Sequence, residues 1–146
     1  MFIPQIAREI FPEWNISKIS YPFLIDFCKK QKVFVIEGED EQVAFGEYII
    51  RDGYEFILIN KHLPKIMKLW VLCHEVFHWR VHRPETSNFS TTMEDKNEAE
   101  ANIFAAVAIL PRTLIEGLTV DEISKITQLP LELIQIRKMI ADNFHF

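Results

Sequence analysis

A chain of 146 residues, 49% apolar and 25% charged, fits one globular domain that needs no disulfide to build its core. A formal net charge of −5 argues against a general polyanion binder, which needs clustered Lys and Arg. The two cysteines, Cys28 and Cys73, stand far apart in no CxxC pattern, so two free thiols in a reducing compartment are expected, not a disulfide framework. The start, MFIPQIAREIF, lacks the basic and apolar regions of a signal peptide. The longest apolar run, IFAAVAIL at 103–110, is too short to span a bilayer. These features predict a soluble, cytoplasmic, single domain over residues 1–146.

Residues 2–11 and 22–31 read as short helices, the second with Pro22 in its first turn and lysines near its end, as the helix dipole favours. The period then shortens. KVFVIEG (32–38), QVAFGEYII (42–50) and YEFILIN (54–60) are rich in β-branched and aromatic residues. An acidic turn at 38–41 separates the first two. Asp52-Gly53 between the last two is a strong hairpin signal. The expected arrangement is a three-stranded antiparallel meander.

From Pro64 the pattern is helical. Ile66, Leu69, Trp70, Cys73, Phe77 and Val81 recur at three- and four-residue spacing. Pro84 should end this helix near Arg83. A polar loop at 85–92 precedes a long helix at about 93–110, closed by Pro111. TVDEISKITQLPLELIQIRKMI then predicts two short helices, the first opened by a Thr119/Glu122 capping box and the break marked by Leu129-Pro130. The whole reads as an α+β fold: a small sheet packed against helices, with a helical, helix-turn-helix-like part at 111–146.

The chemistry concentrates in HEVFH, residues 74–78. On a helix, His74 and His78 at i and i+4 share one face, so both imidazoles can address one zinc ion. Glu75 then stands beside the metal. Zinc lowers the pKa of water from ~15.7 to about 7, and Glu75 can take that water's proton and deliver it to a leaving amine. The competing reading is a solvated helix face with a Glu75–His78 contact. A catalytic site needs a third protein ligand and an open position. His82 lies a further four residues on, but i, i+4 and i+8 climb about 12 Å and cannot all reach one ion. It reads instead as a rim residue, a neighbour of a ligand, or an exposed side chain. The next helix places Glu98, Ala101, Asn102 and Ala105 on one face. The alanines there let two helices approach toward the near end of the usual 8–10 Å range. Glu98 is thus the preferred third ligand. Glu100, about 200° around the helix, is its rival, and Glu94 and Asp95 are weaker ones.

HEVFHWRVHR, a polar loop and EAEANIFAAVAILP together resemble the ImmA/IrrE family of metallopeptidases, whose signature is HExxH followed by ExxANxFAxxLLMP. The resemblance covers roughly residues 32–140. One departure is Ile109-Leu110-Pro111 where Leu-Met-Pro is usual. The resemblance implies a minimal zincin-like core, zinc on His74, His78 and Glu98, and Glu75 as catalytic base. It also places Asn102 as a hydrogen bonder near Glu98. It implies a cytoplasmic enzyme of mobile elements or stress responses that cleaves a helix-turn-helix repressor or an antitoxin-like protein. His82 and Tyr48 are candidate oxyanion stabilisers.

Two other classes compete with that reading. One is a non-catalytic, zinc-containing interaction protein. The other is a DNA-associated regulator using 111–146, but Arg112, Lys125, Arg137 and Lys138 there face five acids, Glu116, Asp121, Glu122, Glu132 and Asp142. That balance argues against direct nucleic-acid binding.

Overall fold

The structure, a computed structural model, describes residues 2–39, 45–82 and 91–146, with side chains except at 91–94. Two helices, α1 (Phe2–Ile10) and α2 (Tyr21–Lys30), lead into strands β1 (Val33–Gly38), β2 (Gly46–Arg51) and β3 (Tyr54–Asn60). Two long helices follow, α3 (Lys65–Val81) and α4 (Thr91–Ile109), then α5 (Arg112–Ile115), α6 (Val120–Thr127) and α7 (Leu131–Phe144). Most of the polar loop expected at 85–92 and part of the acidic turn at 38–41 lie outside the described residues.

The fold is α+β, but its sheet is mixed, which corrects the antiparallel meander. The strand order is β1-β3-β2, with β2 antiparallel and β1 parallel to β3. The β2–β3 hairpin forms where Asp-Gly predicts it. Asp52 and Gly53 both take positive φ, 53° and 81°, as a two-residue turn matched to strand twist requires. β3 takes the centre because it is the strand whose inward residues, Ile57 and Ile59, are both fully buried. β1 joins the far edge of β3, and the chain crosses over through the hairpin instead of doubling back on β2. That leaves the outer edge of β2 beside α3.

Helix α3 is buried around most of its circumference, not along one stripe. Val71, Leu72, Val76 and Trp79 are buried as well as the expected Leu69, Trp70, Cys73 and Phe77. It packs against β2 and β3, α2, and α4 at once. Gly46 permits the tight approach of β2: a Cβ there would overlap Val71 Cγ1 and crowd the Leu58 carbonyl. On α4, Ala101 and residues 104–110 are wholly buried, and Phe104 stacks on Phe77 with centroids 5.3 Å apart. The N-terminal segment straps the far side of α4. Trp14 Nε1 donates to the Phe104 carbonyl at 3.1 Å, and Ile19 N–H to that of Ala108 at 2.9 Å.

Three helices follow Pro111 instead of two, since a single turn (α5) precedes the capping box. That box is formed: Thr119 Oγ1 accepts from Glu122 N–H, and Glu122 Oε1 accepts from Thr119 N–H. Helices α6 and α7 pack on each other, and α7 also packs on α4 through buried Ile134, Arg137 and Ile140.

Candidate metal centre

The last two turns of α3 and the N-terminal half of α4 meet at three side chains. His74 Nε2 lies 3.0 Å from Glu98 Oε2, His78 Nε2 lies 2.8 Å from Glu98 Oε1, and the two Nε2 atoms are 3.0 Å apart. Among the described residues this is the group of His, Cys, Asp and Glu able to hold a metal ion. The i, i+4 spacing on α3 aligns the two imidazoles, and the alanine face of α4 brings Glu98 to them.

The donor set fits a tetrahedral cation. Ligands about 2.0–2.1 Å from zinc stand roughly 3.3 Å apart. The observed 2.8–3.0 Å needs only a slight widening. The charges agree. Glu98 is held well below the usual carboxylate range by its hydrogen bonds to His74 and then His78. Burial pulls His74 down, but its Glu98 hydrogen bond and the charges of Glu75 and Glu98 outweigh this and raise it. Both directions follow from the same contacts between one carboxylate and two imidazoles.

Glu75 is buried, which removes the reading of a solvated helix face. Burial raises its carboxyl, while the His74 and His78 charges and a hydrogen bond from the Tyr48 backbone N–H pull the other way. That backbone contact ties the motif helix to strand β2. Asn102, one turn of α4 on from Glu98, reaches the group at His74, with which it shares a hydrogen bond. Both residues lie on the same flank of the site, so one turn of α4 from Glu98 brings Asn102 to the neighbouring imidazole.

His82 is not a third histidine on the same ion. The chain leaves helical geometry there, with φ −115° and ψ 62°. Its ring lies behind His78, with Nδ1 atoms 3.0 Å apart and an edge contact to Phe77 at 5.6 Å. Burial and the charge of His78 push it down to about 4. The Tyr48 hydroxyl is within 2.6 Å of Glu55 Oε2, to which it donates. Of the rival ligands, Asp95 is exposed, and Glu94's side chain lies outside the described residues. Glu100 is buried against His82, a placement that the sequence reading missed.

Two clefts flank the group and share Gly46, Glu75 and Glu98. One, of about 410 Å³, is walled by Phe45, Met67, Trp70, Val71 and Leu133. The other, of about 490 Å³, runs past Glu47, Tyr48, His78 and His82. Leu133 brings α7 into the first cleft, a contribution that nothing local in the sequence signals.

Residues 28–139 match the peptidase family described as IrrE N-terminal-like domain. The chain belongs to this family. It is also similar to immunity region protein 2 of Bacillus phage phi105, at 29% identity over 108 residues, covering 68% of this chain and 67% of the phage protein. No solved structure matches it. The family match takes in β1 to α7 and every residue of the site just described.

Proposed function

We propose that the protein is a zinc-dependent endopeptidase that cleaves a helix-turn-helix repressor, or an antitoxin-like protein, of a mobile element in the cytoplasm. The observation that carries the reading is the convergence of His74, His78 and Glu98 on one point with the buried Glu75 beside it. Membership of a peptidase family supports the reaction class. The phage immunity-region relative supports a repressor-type substrate.

In this reading His74 and His78 through Nε2, and Glu98 through its carboxylate, hold the ion. Zinc bound there supplies a Lewis acid that acidifies water and polarises the scissile carbonyl. Glu75, its carboxyl raised by burial, stands beside that point to take up and release a proton. It accepts the proton of the attacking water as the C–O bond forms, then passes it to the nitrogen as the C–N bond breaks. Asn102 fixes the ring of His74. The substrate lies extended along the outer edge of β2, adding a strand, with an apolar side chain against Trp70, Val71 and Leu133. A DNA-associated role for 111–146 has less support. Arg137 is buried, Arg112 donates to the His145 carbonyl, and Lys138 donates to that of Leu118.

Co-expression with the repressor encoded beside it tests the reading. Wild type cleaves the repressor. Glu75→Gln keeps its zinc and loses about 10²–10⁴ of the rate. Binding without cleavage by both forms would leave a zinc-containing interaction protein, and a shifted DNA fragment a nucleic-acid binder.

A further inference from the structure

The buried pair behind His78 has no part in the proposed chemistry, yet it is aimed at a ligand. Glu100 is 8% exposed, and its Oε2 has no hydrogen-bond donor among the described residues. The polar atom facing it is His82 Nε2, 3.5 Å away. The other nitrogen of that ring, Nδ1, is 3.0 Å from His78 Nδ1. A line of polar atoms thus runs Glu100, His82, His78, then the point shared with His74 and Glu98.

We propose that His82 and Glu100 are positioning residues for His78: they fix the tautomer that points a bare Nε2 at the metal. The inference rests on the metal reading above and concerns how that site is held ready. A neutral imidazole has one N–H and one lone pair. A carboxylate only accepts, so it selects the His82 tautomer with its proton on Nε2. His82 Nδ1 is then bare and can only accept. It takes the N–H of His78 Nδ1, and His78 Nε2 is left with the lone pair that a cation needs. Each step excludes the opposite proton placement on the next ring. Metal-ligating histidines commonly depend on such outer partners, whose loss costs about 10–100-fold in affinity.

The described surroundings restrain the chain at His82. The backbone N–H of His82 donates to the His78 carbonyl at 2.7 Å, which seats the ring at the helix end, and its side chain is 7% exposed. Among the described residues, Lys96 Nζ is 3.9 Å from the other Glu100 oxygen and is itself largely exposed. The 3.5 Å gap at His82 Nε2 is closed by a small rotation of either side chain.

Zinc affinity, measured by competition with a chromophoric chelator, reads the effect without any substrate. Wild type binds one zinc, and Glu100→Gln and His82→Phe bind it about 10–100-fold more weakly. Their metal-free melting temperatures stay close to that of wild type. Gln can donate as well as accept, so it removes the proton ordering at little cost in volume. Nitrogen-15 NMR of the zinc-loaded wild type shows His82 protonated at Nε2. Unchanged zinc affinity in both variants, or His82 protonated at Nδ1, overturns the relay while leaving the metal site standing. Failure of the wild type itself to bind zinc sinks the underlying metal reading instead. If His82→Phe does not fold, Glu100→Gln and the wild-type tautomer decide between these outcomes.

Discussion

Two polar clusters sit toward opposite ends of α4, and they differ in what they lack. At the far end, Arg137 is fully buried without an acid partner. Its Nε donates to the Leu110 carbonyl at 2.6 Å, and its Nη2 to Asn15 Oδ1 at 3.3 Å and the Phe146 carbonyl at 3.1 Å. Trp14 packs edge-on against Phe146, with centroids 5.5 Å apart. This knot joins the N-terminal strap, the end of α4 and the end of the chain. Only Nη1 of the guanidinium is left without an acceptor. At the near end, two imidazole Nε2 atoms and a carboxylate converge on one point. The first cluster brings its own cation and spends its hydrogen bonds on backbone carbonyls, so it is architecture. The second is a set of donors that could hold a metal ion.

The comparison can be broken at either end. The largest effect is expected at the near end, from His74→Ala. Free zinc at 100 times its Kd adds about 2.7 kcal/mol to the wild type. At about 2–4 °C per kcal/mol that is a rise in Tm of roughly 5–10 °C. The variant should show no rise, and a chelator should return the wild type to its metal-free Tm. A zinc-dependent rise that survives the substitution would mean the ion sits elsewhere. Arg137→Met comes next. It leaves the Leu110 carbonyl without its side-chain donor, removes one of the two donors to the Phe146 carbonyl, and should cost about 2 kcal/mol in denaturant unfolding. Zinc content and the zinc-dependent rise should not change. Lost zinc would show that the two clusters are coupled along α4. The smallest effect is expected from Thr119→Ala, which removes one half of the capping box, remote from both clusters. It should lower stability by about 1 kcal/mol, with zinc affinity and cleavage unchanged.

How legible each cluster is follows from the range of its contacts. His74, Glu75 and His78 are placed by helical spacing alone, so HEVFH exposes them. Glu98 follows from a neighbouring helix whose small residues mark the face that approaches. Arg137 reads as one of four surface cations until the fold shows it enclosed, because its partners lie 9, 27 and 122 residues away. Glu100 is the same case. Its angle on α4 turns it away from the face of Glu98, but only the packing of α3 shows His82 on that side.

The amino-acid order by itself determined the local devices: the paired histidines one turn apart, the Asp-Gly reversal, the Thr119 cap, the helix start at Pro64 and the stop at Pro111. Each is decided within a few residues by backbone geometry and short hydrogen bonds. Tertiary structure alone decided that β1 runs parallel along β3, that α3 is enclosed on nearly every side, that Asn102 holds His74, and that Glu100 stands behind His82. These depend on which surfaces meet across long stretches of chain, and many pairings satisfy the same local pattern. Burial of apolar area and the closing of polar groups select among them only when the whole core forms at once.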